Sequence, residues 1–210
     1  MSYHLARKDY VQHELTEANC PNLPHELLDQ WLKDAHTDSE DANAMTISTV
    51  DQNGQPSSRI VLLRELSQTG IIFFTNYNSK KGRDISKNNK VALNFFWPWM
   101  ERQVRIEGVI EKVDESISDA YFDSRPRESQ LGAIASSQSE SLSDRKGLED
   151  KLNALAHQFA DQAIPRPTHW GGYLVRPKYF EFWQGRSSRL HDRIAYRNEN
   201  DQWITGRLFP

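Results

Sequence analysis

The sequence predicts an α+β protein built on an antiparallel β-barrel or sandwich. Short apolar runs of strand length, separated by tight turns such as residues 51–54, recur before residue 113 and again after residue 170. Helical patterns occupy the stretch between them, and no glycine-rich phosphate loop is present. Because the β pattern resumes after the helices, we predict one domain over residues 1–210 with a helical insertion at 114–160.

The composition argues against several classes of protein. With 37% hydrophobic residues the chain can bury a substantial core, and its net charge of -3 argues against nucleic acid as a partner. The single cysteine, Cys20, excludes an intrachain disulfide and a zinc site of thiolates, and we predict no metal site. The chain has no run near the ~18 apolar residues of a membrane span and no signal peptide pattern, so we expect a cytoplasmic protein.

The first part of the chain predicts an arm, a helix and a series of strands. Residues 1–20 are polar and predict a short helix or a mobile arm. Apolar residues at helical spacing predict a helix over residues 24–35. We predict strands at residues 45–50, 57–65, 71–75, 91–97 and 102–113. The apolar centre of 57–65 predicts that this strand is buried.

Helices and strands are also predicted in the remaining stretches. Ser79 is placed to cap a helix that runs to about residue 88. Further helices are predicted at 115–124, 126–135 and 142–160, the last with leucines at core spacing. The final strands are predicted at 171–183, 189–197 and 202–208.

The last strand but one carries a row of basic residues. If residue 189 begins a strand, alternation places Arg189, His191 and Arg193 on one face. Such a row is costly to bury without an anionic or electron-rich partner, which favours a face that meets a ligand. The alternative is an exposed edge strand whose charges block aggregation.

Arginines also bracket the strand predicted at 57–65. Arg59 and Arg64 have opposite parity, so alternation points them to opposite faces and argues against one shared anion. Either each is a solvated strand end, or each meets a different anionic group.

Two helix starts combine free backbone N–H groups with basic or hydroxyl side chains. Ser79, Lys80 and Lys81 form the first, and Arg125 and Ser129 with Tyr121 form the second. Ordinary exposed helix starts are the alternative in both places. Two phosphorylated, ring-bearing ligands would account for the pattern.

These motifs, taken together and in order, closely resemble the pyridoxine/pyridoxamine 5'-phosphate oxidase family. The resemblance extends from about Arg7 to the C-terminal Arg207-Leu-Phe-Pro. The motifs that carry it are Arg59-Ile-Val-Leu-Leu-Arg64, Phe74-Thr-Asn-Tyr-Asn-Ser-Lys-Lys81, Glu101-Arg-Gln-Val104, Tyr121-Phe-Asp-Ser-Arg-Pro-Arg-Glu-Ser129, Gln138-Ser139, Phe182-Trp-Gln-Gly and Arg189-Leu-His-Asp-Arg193.

The resemblance implies a fold, a cofactor and a reaction. The fold would be an FMN-binding split β-barrel, antiparallel and Greek-key-like with surrounding helices, in a homodimer with FMN at the subunit interface. The reaction would oxidise pyridoxamine 5'-phosphate or pyridoxine 5'-phosphate to pyridoxal 5'-phosphate. It implies hydride transfer from the substrate to the flavin, after which O2 is reduced to H2O2.

The resemblance also implies roles for individual residues. Arg189 and His191 would flank the substrate ring, Asp41 would lie near the reacting substituent, and Arg7 and Tyr10 would belong to an N-terminal arm that closes over the site. The substrate phosphate would be held by Arg64, Tyr121, Arg125 and Ser129. The FMN contacts would be Arg59, Ile60, Val61, Leu62, Leu63, Phe74, Thr75, Lys80, Lys81, Gln103, Gln138, Ser139, Trp183 and Arg193.

Some positions depart from the family pattern, and other functions remain open. Arg64 and Lys80 stand where the family more often has lysine and arginine, which keeps the charge but changes the bonding geometry. Residues 15–20 are acidic where relatives can be basic, which argues against an accessory ligand site there. The alternatives are a flavin or haem utilisation protein on the same barrel, and a non-enzymatic carrier of pyridoxal phosphate.

Overall fold

The computed structural model describes residues 9–210, and within them nine strands form one antiparallel sheet. The strand order is β2-β1-β5-β6-β7-β4-β3, with β8 on β7 and β9 on β8. The strands are β1 (Ala44–Val50), β2 (Pro56–Leu62), β3 (Glu65–Ser67), β4 (Gly70–Asn76), β5 (Lys90–Trp97), β6 (Arg102–Lys112), β7 (Trp170–Gln184), β8 (Asp192–Glu199) and β9 (Gln202–Arg207). The predicted antiparallel sheet is confirmed.

Five α-helices accompany the sheet in the described part of the chain. Ser79 caps α2 as predicted, because its hydroxyl accepts a hydrogen bond from the backbone N–H of Gly82. Three helices lie between β6 and β7, where the sequence predicts a helical insertion. The helices are α1 (Pro24–Asp38), α2 (Lys80–Lys87), α3 (Glu115–Asp123), α4 (Arg127–Ala135) and α5 (Arg145–Gln158).

Strand β7 organises the sheet because it is long enough to serve different neighbours at its two ends. Its first half pairs with β4, and its last six residues pair with β8. Strand β6 pairs along nearly the whole length, with a bulge between Glu107 and Gly108. The two ends of β7 therefore lie in different surroundings.

The hydrophobic core has two parts. The main part packs α1 on the sheet, with the ring of Trp31 edge-on to Phe182 at 5.3 Å. The smaller part gathers Phe122 and Trp170 near the start of β7. Helix α5 packs on this smaller part through half-buried side chains and has no fully buried residue, so its predicted core spacing produces only a peripheral contact.

The prediction for residues 57–65 is wrong in extent and in burial. Strand β2 ends at Leu62 and lies at the edge of the sheet. The side chains of Ile60 and Leu62 are 62% and 38% exposed. Because only β1 pairs with β2, one side of this apolar strand has no neighbour within the described chain. Strand alternation therefore does not extend to Arg64.

The prediction of a strand from residue 189 is also wrong. Residues Ser187–Arg189 form a 3-10 turn in which Ser188 and Arg189 have φ values of 57° and 62°. Strand β8 begins only at Asp192, opposite Gln184, where β7 ends. Residues 189–191 do not pair with β7 and therefore do not form a strand. Strand alternation thus does not place Arg189, His191 and Arg193 on one face.

The described part of the N-terminal segment contains one short 3-10 helix and no α-helix. Residues 9–16 contain no helix or strand, and a short 3-10 helix follows at Glu17–Asn19. Leu15 is buried in the main core, and its backbone N–H donates to Asp192 at 3.1 Å. Arg7 lies outside the described residues.

Candidate active site

An open pocket of about 490 Å³ lies between the end of β2, strand β4 and helices α3 and α4. It collects residues that the sequence predicts to bind a cofactor and residues predicted to bind a substrate phosphate. The predicted residues that line it are Ile60, Val61, Leu62, Arg64, Phe74, Thr75, Lys81, Tyr121, Arg125, Ser129 and Gln138. We call this the basic pocket.

One wall of the basic pocket is a cationic and hydroxyl-bearing corner at the junction of α3 and α4. Helix α3 ends at Asp123, and Pro126 caps α4, so Arg125 lies in the connection, where the sequence predicts a break. The guanidinium of Arg125 lies 4.6 Å from the ring centre of Trp170. Burial lowers the pKa of Arg125. Its Nη1 is buried without a hydrogen-bond partner among residues 9–210.

Aromatic rings form the floor beside this corner. The rings of Phe74 and Tyr121 are stacked, with centroids 3.8 Å apart and an angle of 15°. Trp170 lies nearly parallel to Tyr121 at 6.2 Å, and Arg64 lies 5.9 Å from the Tyr121 ring centre. Parallel rings flanked by guanidinium groups can accommodate a planar, electron-rich ligand.

Lys81 supplies a buried cation at the other side of the pocket. Its ammonium donates to Thr75 Oγ1 at 3.0 Å and to Gln138 Oε1 at 2.9 Å. Burial and the nearby charge of Arg59 lower the pKa of Lys81 to about 8. The carbonyl oxygen of Gln138 thus joins the loop after α4 to the start of α2.

Arg59 and Lys80 lie beside the pocket but do not line it. Both are linked to the buried carboxylate of Asp84, through two contacts of 3.2 Å from Lys80 and a longer 4.0 Å approach by Arg59. Thr49 completes the group, donating to Asp84 and accepting from Arg59, both at 2.8 Å. Asp84 therefore holds these two cations in place.

A second cluster of predicted site residues lies at the other end of β7. The indole of Trp183 is 4.6 Å from His191, and the ring of Tyr10 is 5.7 Å from Trp183 and 5.8 Å from His191. Gln103 pairs with Trp183 on one side, and Arg193 pairs with it on the other. We call Tyr10, Trp183 and His191 the aromatic cluster.

The hydrogen bonding of His191 defines its tautomer. The backbone N–H of Arg186 donates to Nδ1 at 3.0 Å, so the proton of the neutral imidazole is on Nε2. Burial, and then the charge of Arg189, lower the pKa of His191. In its neutral form the ring offers Nε2–H as a donor.

Two family models together match most of the chain. A model described as pyridoxamine 5'-phosphate oxidase matches residues 32–159, and one described as the C-terminal dimerisation region of pyridoxine 5'-phosphate oxidase matches residues 170–210. The chain belongs to the pyridoxamine 5'-phosphate oxidase family. The family predicted from the motifs is thereby confirmed.

Individual relatives cover the whole chain. A pyridoxine/pyridoxamine 5'-phosphate oxidase from Actinobacillus succinogenes is 50% identical over 100% of both proteins. One from Pseudomonas paraeruginosa is 50% identical over 97% of this chain and 96% of the relative.

Two solved structures have a fold similar to that of this chain. PhzG from Burkholderia lata 383, in complex with tetrahydrophenazine-1-carboxylic acid, gives a TM-score of 0.88 at 30% identity and covers 93% of this chain and 98% of that chain. A pyridoxamine 5'-phosphate oxidase-related, FMN binding protein from Nostoc punctiforme gives 0.70 at 17% identity, with the same coverage. The predicted split-barrel fold is confirmed.

Some predicted site residues neither line the basic pocket nor belong to the aromatic cluster. Asp41 is exposed in the 3-10 helix Glu40–Asn43, and its backbone N–H is bound by Ser39. Leu63 packs against the main core. Ser139 is exposed with a φ of 75°, next to Gln138. Arg189 is exposed two residues from His191.

Sequence reasoning missed several residues that shape the two regions. Asn76, Ser136 and Trp170 line the basic pocket. Glu181 is buried behind Arg193, and Glu101 lies at the turn before β6. A hydrophobic-to-acidic break in the run Tyr179-Phe180-Glu181-Phe182 was the one available signal for Glu181, because a carboxylate in a buried strand needs a partner.

Neither a membrane span nor a metal centre is found in the described residues. No helix within residues 9–210 is long and apolar enough to cross a membrane. No group of three or more His, Cys, Asp or Glu residues in that range is arranged to hold a metal ion.

Proposed function

We propose that this protein is an FMN-dependent oxidase that converts pyridoxamine 5'-phosphate or pyridoxine 5'-phosphate to pyridoxal 5'-phosphate, with reduction of O2 to H2O2. Full-length relatives that are 50% identical carry the names of enzymes acting on these two substrates. The observation that carries the proposal is the basic pocket, which combines aromatic walls with separate cationic groups at Arg125 and Lys81.

The Nη1 of Arg125, which has no hydrogen-bond partner among residues 9–210, supports a phosphate at the α3–α4 corner. A buried donor without a partner is costly, and a phosphate oxygen would supply that partner with a charge-assisted bond. Arg64, Tyr121 and Ser129 line the same pocket and would complete the binding of a dianion. A substrate without a phosphate would leave this corner unsatisfied.

The residues around Lys81 fit FMN. Lys81, Thr75 and Gln138 present one ammonium and two polar groups at the start of α2, where Arg59 and Lys80 add positive charge. The exposed apolar side chains of Ile60 and Leu62 can cover part of a flavin ring. When bound, FMN supplies the two-electron chemistry, while the protein binds and orients the substrate.

Two copies of the chain would be needed to complete the site. Trp170 in the basic pocket and Trp183 in the aromatic cluster are thirteen residues apart on β7, or about 40 Å of extended strand. No residue of the aromatic cluster lines the basic pocket. We propose a homodimer in which the basic pocket of one subunit faces the aromatic cluster of its partner, with FMN at the interface.

The C-terminal match supports this assembly. The model for residues 170–210 describes a dimerisation region, and these residues include both His191 and Arg193. Arg193 and Gln103 would complete the FMN site from the second subunit, together with Trp183. In this arrangement Arg189 and His191 would flank the substrate ring, with the Nε2–H of His191 as a donor. We propose Asp41 as a residue near the reacting substituent and Tyr10 as part of the wall over the ring.

The proposed reaction is tested by mixing the purified, FMN-loaded protein with either phosphorylated substrate in air. We expect aldehyde and H2O2 in equal amounts, and far slower turnover of pyridoxine that lacks the phosphate. If neither product forms, a non-oxidase flavoprotein becomes the better description. A purified protein that binds pyridoxal phosphate but takes up no FMN would instead be a carrier.

A further inference from the structure

Glu101 combines two energetically costly features. The residue is only 2% exposed, so its carboxylate needs hydrogen-bond partners. Its φ is 56°, in the left-handed region that residues other than glycine seldom adopt. Backbone strain of this kind persists where the surrounding structure holds it in place, and it is concentrated at functional sites.

The carboxylate of Glu101 binds the N-terminal segment. Its Oε2 accepts hydrogen bonds from the backbone N–H groups of Val11 at 2.9 Å and Gln12 at 3.2 Å. These amides belong to residues 9–16, which form neither a helix nor a strand. A carboxylate therefore binds backbone donors that would otherwise face solvent, and hydrogen bonds to a charged acceptor are stronger than neutral ones.

The residue just before these amides is Tyr10 of the aromatic cluster. Its ring lies against Gly185, where an added Cβ would be 2.7 Å from Tyr10 Cγ. The backbone N–H of Gly185 donates to the carbonyl oxygen of Glu101 at 2.8 Å. Glu101 therefore binds both partners of this contact: Gly185 through its backbone, and the segment that carries Tyr10 through its side chain.

We propose that Glu101 is a positioning residue that fixes Tyr10 against Trp183 and His191, and so builds the wall over the substrate ring. What this wall covers rests on the proposed function, whereas the attachment of the segment does not. A second backbone anchor of the segment is Leu15, whose N–H donates to Asp192 at 3.1 Å. That anchor lies five residues from Tyr10 and serves as an internal reference.

The attachment is tested by amide hydrogen exchange on the FMN-loaded protein without substrate. In Glu101→Asn the new residue tolerates the left-handed backbone, but its side chain is too short to reach the N-terminal segment. We expect exchange at Val11 and Gln12 to accelerate about tenfold, as fits the loss of hydrogen bonds to a charged group, while exchange at Leu15 stays within about twofold. Glu101→Gln, which keeps the length without the charge, should give an intermediate rate.

Steady-state kinetics test the consequence for the site. In both variants we expect KM for pyridoxamine 5'-phosphate to rise, by about fivefold for Glu101→Asn and less for Glu101→Gln, with kcat within about twofold, because a wall mainly contributes to substrate binding. Glu14→Gln is the matched control. It removes an acid from the same segment that pairs with Arg186 at 3.3 Å at the surface, and it should change neither exchange at Val11 nor KM.

Two results would overturn the proposal. Unchanged exchange at Val11 and Gln12 in both Glu101 variants would show that the carboxylate does not hold the segment. Faster exchange with an unchanged KM would show that the segment is held but is no part of the site. If Glu101→Asn fails to fold, Glu101→Gln decides the same two questions. A wild-type protein that is inactive on both B6 substrates would defeat the proposed function, whereas the exchange measurement would still judge the attachment.

Discussion

Glu181 accepts a hydrogen bond from Nε of Arg193 at 2.9 Å through its Oε1, and the Nη2 of the same guanidinium lies 2.9 Å from that oxygen in an ion pair. The other oxygen accepts from Arg105 at 2.9 Å and from the hydroxyl of Tyr179 at 3.1 Å. The carboxylate is buried, and these three hydrogen bonds satisfy it. Arg193 is thereby held in a fixed orientation beside Trp183.

Because Arg193 is a proposed FMN contact, Glu181→Gln should weaken FMN binding. The neutral amide of the glutamine can accept at most part of the hydrogen bonds that the Arg193 guanidinium donates, and it has no charge to pair with it. We therefore expect the Kd for FMN to rise about tenfold. Fluorescence titration of the flavin-free protein measures this. Arg105→Met is the control, since it removes the other arginine bound to Glu181 and leaves Arg193 in place, and it should change the Kd by less than about twofold. Equal losses in both variants would argue against orientation of Arg193 as the cause.

The pKa of Lys81 predicts a pH dependence of FMN binding. Burial lowers this pKa from 10.5 to about 8, so the ammonium loses its proton as the pH rises through 8. We expect FMN affinity to fall above pH 8, because the phosphate loses its buried cation. Titrations from pH 6.5 to 9.5 measure this. In Lys81→Met the affinity should be lower at neutral pH and this step should be absent; a step of unchanged size would assign it to another group.

The same pKa predicts the opposite trend for the stability of the FMN-free protein. Between pH 8 and 10.5 the unfolded chain holds a proton at Lys81 that the folded chain has released, so this residue makes stability rise with pH. Denaturant titration of the wild type and of Lys81→Met isolates the contribution, because the variant lacks it. A difference between the two proteins that falls over this range would contradict the assignment.

Removal of Arg125 should separate stability from substrate binding. Its guanidinium is partly buried without a partner for Nη1 among residues 9–210, so Arg125→Met should leave the ligand-free protein as stable as the wild type or about 1 kcal/mol more stable. KM for either phosphorylated substrate should rise at least about tenfold. Thermal denaturation and steady-state kinetics check the two parts. Arg145→Met, at an exposed pair with Glu149, should alter neither.

Complementation tests the proposed sharing of the site between subunits. Arg125→Ala damages the basic pocket, and His191→Ala damages the aromatic cluster. In a mixed dimer, one site would combine the intact pocket of one chain with the intact cluster of the other. Random pairing of equal amounts should therefore restore about a quarter of the wild-type activity from two nearly inactive proteins. The absence of any recovery after verified subunit exchange would place both parts in one chain.

The strands, the helices and the family could be predicted because they depend on local patterns. Alternation and turn residues predict the bounds of β1, β5 and β6 to within about two residues. The capping residue Ser79 predicts the start of α2. The motifs around Arg59, Tyr121 and Arg189 predict the family that the comparisons confirm. Side-chain periodicity and capping act over a few residues, so the sequence carries them directly.

Long-range pairing decided the rest. Ile60 and Leu62 are exposed because residues 9–210 leave their face of β2 uncovered, and residues 187–191 leave the strand pattern because β7 ends at Gln184. The division of the site residues between the two ends of β7 likewise follows from which strands are neighbours.

The amino-acid sequence by itself determined the antiparallel fold class, most element positions and the list of candidate residues. Only the tertiary structure placed Glu101 on Val11, ninety residues away, and separated Arg125 from His191. A local pattern shows how a segment presents its side chains, but the neighbour that meets them is chosen by the pairing and packing of the whole chain.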